Sequence, residues 1–186
     1  MPAEISPEDS GDEPLTYYTL LKGTAIGDLL FMANDTDLTG LYCVDNEGAP
    51  RIEKEWIRKP RQRILAEAMK QVKEFLAGKR KVFSVPVHFD GTEFQEKIWT
   101  HTMRIPYGGT LSYSELAARA GNPRAIRAAG SALGAIPIDL IIPAQRVIAK
   151  GGKAGGFSGD WNRKLYLLEL EKSVLAGKAL PKRRGK

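Results

Sequence analysis

Few side chains in this sequence could act on a substrate, and their types narrow the chemistry at once. Cys43 is the single cysteine, which excludes an intramolecular disulfide framework and a multi-thiolate zinc site. With only His88 and His101 beside it, no metal cluster can be assembled, and neither a metal nor a cofactor is expected. Cys43 falls in an apolar stretch and reads as a small core residue, not as a nucleophile. Two other patterns are richer. Arg124 and Arg127 lie among small residues just after Gly121-Asn122-Pro123, which is what the second helix of a helix-turn-helix needs to approach a duplex closely. A plain helical hairpin with solvated arginines fits the same spacing. Further on, Ile138 to Pro143 reads as a buried strand that delivers Pro143-Ala144-Gln145-Arg146-Val147 at its end, where residues commonly face a pocket.

Charge favours the nucleic-acid reading of the helix pair. The net charge of +6 is unevenly placed: residues 1–90 hold 12 basic and 15 acidic side chains, whereas residues 91–186 hold 16 and 7. A basic half beside a mildly acidic one suits a polyanionic partner, because clustered positive charge releases counterions from nucleic acid. At 186 residues and 42% hydrophobic content the chain can form one ordinary domain or two small ones sharing an interface, and collagen-like, heptad or wholly disordered architectures are excluded. There is no signal-peptide pattern and no apolar run near the roughly 20 residues of a membrane helix. A cytoplasmic protein is expected, nucleoid-associated or nuclear according to its organism, with no membrane partner.

These residues must be positioned by an ordered set of elements. Residues 1–14, with five acidic side chains, read as a flexible leader, and residues 174–186 as a basic tail. Between them we expect an α/β domain over 15–88 and a DNA-binding domain over 89–173. In the first, three short apolar segments (17–21, 29–32 and 41–44) separated by Gly-Asp and Asn-Asp turns predict an antiparallel meander. Apolar residues at three- and four-residue spacing from Ile64 to Leu76, stopped by Gly78, predict a helix, and Val82 to Pro86 an edge strand. In the second, Thr92…Gln95 and Ser112…Glu115 are capping-box patterns that open two helices. Asn122-Pro123 predicts the start of a third helix running to Gly134. Trp161 to Glu171 resumes helical spacing through Leu165, Tyr166 and Leu168. The fold class is therefore an α/β N-terminal domain followed by a mostly α C-terminal domain with a winged-helix or helix-turn-helix-like motif.

The order of motifs adds a family resemblance. Gly91-Thr92…Phe94-Gln95…Trp99, Ile105-Pro106-Tyr107-Gly108, Ser112-Tyr113…Leu116-Ala117, Gly121-Asn122-Pro123, Arg127-Ala128…Gly130, Pro143…Arg146-Val147 and Gly155-Gly156-Phe157-Ser158-Gly159 with Lys164, Leu167-Leu168 and Glu171 together resemble the O6-alkylguanine-DNA alkyltransferases. These are also called methylated-DNA-protein-cysteine methyltransferases. The resemblance covers nearly all of residues 92–171 and, more weakly, the N-terminal meander. In that family a Pro-Cys-His-Arg turn presents the cysteine that accepts the alkyl group from a flipped-out guanine. A histidine and a distant glutamate activate the thiol through water. Here Ala144 stands at the nucleophile position, Gln145 at the histidine position and Ile136 at a usual asparagine, while Glu171 is kept without its partner.

The resemblance also implies roles. Arg127 would enter the stack and fill the gap of the extruded nucleotide, and Tyr113 would crowd the flipped nucleotide's phosphate. Asn122, Arg124, Ala125 and Ala128 complete a DNA-binding face that meets the minor groove. Tyr113, Pro143, Ala144, Gln145, Arg146 and Ser158 would line the lesion pocket. A methyl side chain has no lone pair to attack an alkyl carbon, so transfer at Ala144 is excluded. The resulting expectation is a monomeric, non-catalytic damage-recognition protein, similar to the alkyltransferase-like proteins, that binds O6-alkylguanine in double-stranded DNA and works with other DNA-repair proteins. The alternatives are an engineered Cys-to-Ala form of a genuine alkyltransferase, or an enzyme performing another reaction on a flipped base.

Overall fold

The computed structural model describes residues 14–151 and 160–182. The acidic leader up to residue 13, Ser158 and the last residues of the basic tail lie outside them. The meander forms as expected. Strands β1 (Tyr17–Thr24), β2 (Gly27–Ala33) and β3 (Leu38–Cys43) are antiparallel, with Tyr17 opposite Ala33 and Phe31 opposite Leu41. A two-residue strand, β4 (Ile57–Arg58), pairs parallel to β1 and gives the order β3-β2-β1-β4. Two residues carry no periodicity, so β4 leaves no signal in the sequence. Helix α1 (Arg63–Leu76) buries Ile64, Leu65, Ala68, Val72 and Phe75 and packs on the sheet, each large side chain contributing about 1.5–3 kcal/mol.

The edge strand expected at Val82–Pro86 does not form. Its polar groups are engaged elsewhere: the Ser84 N–H donates to Gln71 Oε1 at 2.8 Å, and Pro86 has no amide to give. Only an isolated pairing survives on β3, where the Leu38 N–H donates to the Pro86 carbonyl at 2.9 Å and the His88 N–H to the Leu38 carbonyl at 3.0 Å.

The C-terminal half is helical: α2 (Glu93–Met103), α3 (Tyr113–Arg119), α4 (Ile126–Gly134) and α5 (Trp161–Leu175), with β5 (Leu111–Ser112) parallel to β6 (Val147–Ile148). Both capping boxes are made, Gln95 N–H to Thr92 Oγ1 and Glu115 N–H to Ser112 Oγ at 3.2 Å each, with the reciprocal bonds present. Helices α3 and α4 form the helix-turn-helix, and Gly121 (φ +88°) supplies the left-handed residue at the turn. Trp99 Nε1–H donates to the Ala132 carbonyl at 2.8 Å and ties α2 to α4.

Three segments depart from expectation in their start, their conformation or their buried face. Helix α4 starts at Ile126, because Asn122 to Ala125 close a turn of their own, with Ala125 N–H on the Asn122 carbonyl at 3.0 Å. Ile138 to Pro143 is buried but is no strand: Leu140 adopts φ 69°, a left-handed conformation that breaks any extended run. Leu41 N–H instead donates to the Pro137 carbonyl (2.9 Å) and Asp139 N–H to the Leu41 carbonyl (2.8 Å), so the segment leans on the edge of β3. Finally, α5 turns inward Leu167 and Leu170 together with Arg163, Lys164 and Glu171, while Leu165 is exposed. The apolar cluster runs without a break from Tyr17 through Leu116 and Ile138 to Leu170.

Candidate functional site

The segment bearing Ala144 ends in a single 3-10 turn, Ala144–Arg146, entered from Pro143 and leaving into β6. Its backbone is closed by Ala144 N–H to the Ile142 carbonyl at 2.8 Å and Arg146 N–H to the Pro143 carbonyl at 2.9 Å. Residues 143–146 are all buried. The two polar side chains turn onto one carboxylate. Gln145 Nε2 donates to Glu171 Oε1 at 3.0 Å, and Arg146 Nε donates to both Glu171 oxygens at 3.1 and 3.0 Å. The Gly108 amide adds a third donor, to Glu171 Oε2 at 2.7 Å. Arg146 also donates from Nη1 to the Ile105 carbonyl at 2.7 Å and stacks over the Tyr107 ring.

Glu171 therefore has partners, contrary to the expectation from sequence, because a carboxamide reaches it as a donor. The chemistry of that donor differs from an imidazole's. An amide neither takes nor returns a proton near neutral pH, so the Gln145–Glu171 bond holds the turn and relays nothing. Gln145 Oε1 and the Tyr107 hydroxyl are buried with no hydrogen-bond partner among the described residues.

Helix α5 supplies a second anchor. Lys164 is fully buried, donates from Nζ to the Val147 carbonyl just after the turn, and lies 5.6 Å from the Tyr113 ring centroid. Burial holds its ammonium down to about 8. Tyr113, half-buried at the start of α3, rests its ring on α4: a Cβ placed on Gly130 would stand 3.8 Å from that ring. Burial raises its hydroxyl above the usual phenol range.

The helix-turn-helix face carries the other predicted residues. Asn122, Arg124, Arg127 and Ala128 are exposed and Ala125 half-buried, whereas Ala129, Ala132 and Leu133 face inward. Ala125 gives α4 no side-chain cap. Near the ends of α2 and α3, Arg104 and Arg119 add to desolvation in lowering the His101 imidazole below its ordinary value, a sign of concentrated positive potential.

The described residues thus separate the predicted set into a buried turn under α5 and an exposed helix pair, with Tyr113 between them. A groove of about 780 Å³ between the β1–β2 turn and α5 is lined by Ile26, Asp45, Arg163, Tyr166 and Lys172, and by none of residues 143–146. Cys43 is buried in β3, its thiol pushed up to about 12 by burial first and by Asp139 next, which leaves almost no thiolate. The sequence reading gives no site role to Arg163, Gly108 and Tyr107, the last two being noted there as part of a family motif. The signal was present for the first: Arg163, Lys164 and Glu171 fall in helical phase with Leu167 and Leu170.

Residues 93–173 match the family described as 6-O-methylguanine DNA methyltransferase, DNA binding domain. The chain is 41% identical over 148 residues, 79% of its length and 87% of the relative's, to the methylated-DNA–protein-cysteine methyltransferase of Mycobacterium leprae (strain TN). It is 37% identical over 179 residues, 91% of its length and 98% of the relative's, to the inducible methylated-DNA–protein-cysteine methyltransferase of Bacillus subtilis (strain 168). The crystal structure of Mycobacterium tuberculosis OGT in complex with DNA aligns with a TM-score of 0.78 at 37% identity, covering 85% of this chain and 94% of that one. These relatives overturn the expectation of a damage-recognition protein set apart from the enzymes. Likeness to methyltransferases extends over about four-fifths of the chain or more and takes in the N-terminal sheet.

Proposed function

The chain belongs to the 6-O-methylguanine DNA methyltransferase family, and from that membership we propose that it is the Cys-to-Ala form of a genuine DNA alkyltransferase. Its substrate class is O6-alkylguanine in duplex DNA. In this reading α3 and α4 engage the minor groove, with Arg124 on phosphate and Arg127 in the gap left by the extruded nucleotide. The uncapped first turn of α4 suits a phosphate beside those arginines. Tyr113 stands between the helix pair and the turn, so it would meet the nucleotide on its way in.

The observation that supports this most is the turn Ala144–Arg146 held under Glu171, with the family's proline, arginine and glutamate kept and alanine and glutamine between them. Transfer needs a thiolate to attack the alkyl carbon, forming the S–C bond as the C–O6 bond breaks and the guanine oxygen leaves with the electron pair. Ala144 cannot perform that step, and Gln145 cannot draw off a thiol proton.

The test is to restore both groups. Ala144→Cys combined with Gln145→His, incubated with a duplex containing O6-methylguanine, is expected to gain one methyl group on the new cysteine by intact-mass and peptide analysis. A folded double variant that binds the duplex and stays unmodified would remove the turn from the role given to it.

A further inference from the structure

Arg163 makes more polar contacts across the fold than any element boundary requires. Its Nε donates to the Ile26 carbonyl at 2.6 Å in the β1–β2 turn. Nη1 donates to Asn46 Oδ1 at 2.8 Å and Nη2 to Asp45 Oδ1 at 2.5 Å, just beyond β3. Asp160, the cap of its own helix, lies 3.6 Å away. The side chain is 8% exposed. A Cβ on Gly27 (φ +103°) would come within 3.1 Å of Nη2, so glycine leaves the space the guanidinium fills. Only a planar fork with five donors can satisfy three acceptors on two turns at once.

The same helix holds the turn. Lys164, the next residue, anchors the Val147 carbonyl, and Glu171, two turns on, receives Gln145, Arg146 and Gly108. The distance from Arg163 to Glu171 along α5 is about 12 Å of helix, stiffened by Leu167 and Leu170, both fully buried. A second arm reaches the turn from the same sheet, where Leu41 of β3 bonds residues 137 and 139. We propose that Arg163 is a positioning residue: it locks α5 to the N-terminal sheet and so sets the place of Glu171 and of the turn bearing residue 144. The geometry is independent of the functional reading, and what the turn is for rests on that reading.

Two measurements on the full chain test this. In Arg163→Met, hydrogen exchange at the Gly108 amide, which reports the grip of Glu171, is expected to speed up about tenfold. The Ala129 amide inside α4 keeps its protection. Arg163→Lys, which keeps a cation but cannot reach all three acceptors, falls between, and it carries the same comparison if the methionine variant loses its cooperative melt. In parallel, affinity for an O6-methylguanine duplex relative to the undamaged duplex is expected to drop about tenfold in Arg163→Met, the equivalent of about 1.4 kcal/mol of lost lesion contact. Binding to the undamaged duplex, governed by α3 and α4, stays within about twofold. Unchanged protection at Gly108 in the variants overturns the inference. A native chain with no lesion preference overturns the functional reading instead, and the exchange data then decide Arg163 alone.

Discussion

Gln145 Nε2 donates to Glu171 Oε1 at 3.0 Å across 26 residues of sequence, joining the residue after Ala144 to the far end of α5 through a group that cannot titrate. The turn is consequently braced by an amide where a proton carrier would serve chemistry.

From that bond follows an ordering of rates. Ala144→Cys alone places a thiol in a buried turn with no adjacent base, and it is expected to accept a methyl group at least about 10²-fold more slowly than Ala144→Cys with Gln145→His. Single-turnover mass spectrometry with O6-methylguanine duplex measures both; equal rates would show that residue 145 has no part in activating the thiol.

Stability should distinguish the two partners of the bond. Glu171→Gln leaves the Arg146 guanidinium, 8% exposed and otherwise held by the Ile105 carbonyl and the Tyr107 ring, without its counter-charge. A loss of about 3–5 kcal/mol is expected. Gln145→Met removes one donor but also an acceptor that already lacks a partner, so the change stays under about 1 kcal/mol. Urea denaturation of the three proteins checks the contrast.

The buried carboxyl of Asp139 predicts a pH signature. Burial pushes it up to about 7, against the lowering effects of the Cys43 amide and the Arg163 charge. A carboxyl raised in the folded state favours its protonated form there, so its contribution is fully present below about 4, the unfolded value. It is lost as pH climbs through about 7. Asp139→Asn abolishes this slope: the variant should exceed the native chain by up to about 4 kcal/mol at pH 8 and converge with it near pH 4. Urea midpoints coinciding across that range would place the carboxylate in water.

On the helix pair, Arg124 and Arg127 should behave differently. Arg124→Ala is expected to weaken lesion and undamaged duplexes alike and to reduce the slope of log affinity against log salt by about 1. Arg127→Ala should act mainly on the lesion duplex, by about 1–3 kcal/mol. Titrations of both duplexes over a salt series separate a phosphate contact from a residue that enters the stack.

Cys43 offers a simple control. With its thiol pushed up to about 12 and its side chain buried, iodoacetamide should leave the native chain unlabelled at neutral pH and modify it only after denaturation. Labelling of the folded chain would return Cys43 to consideration as an alkyl acceptor.

What could be read from sequence was what neighbouring residues decide. Thr92 with Gln95 and Ser112 with Glu115 are three residues apart, so their capping boxes were visible and are present. The spacing from Ile64 to Leu76 likewise set the buried face of α1. Most of the failures involve partners far along the chain; the start of α4 is a local exception. Ile138 to Pro143 looks like a strand by composition, yet its hydrogen bonds go to Leu41, and Leu140 takes a left-handed turn that no local signal announces. Pro123 suggested a helix start, but the backbone of Asn122 closed a turn first. On α5 the inward charges hid the face, since Arg163 and Glu171 find their partners about 118 and 26 residues away.

Among the described residues the outer edge of β3 meets no full strand; the backbone near Pro86 and His88 pairs at Leu38 and that of Pro137 and Asp139 at Leu41. Those short pairings occupy hydrogen-bonding groups that an unguarded sheet would offer to a neighbouring polypeptide. Loosening the stretch that carries residue 144 would uncover the groups at Leu41, and such changes are expected to show up as clumping of the purified chain before they show up as unfolding.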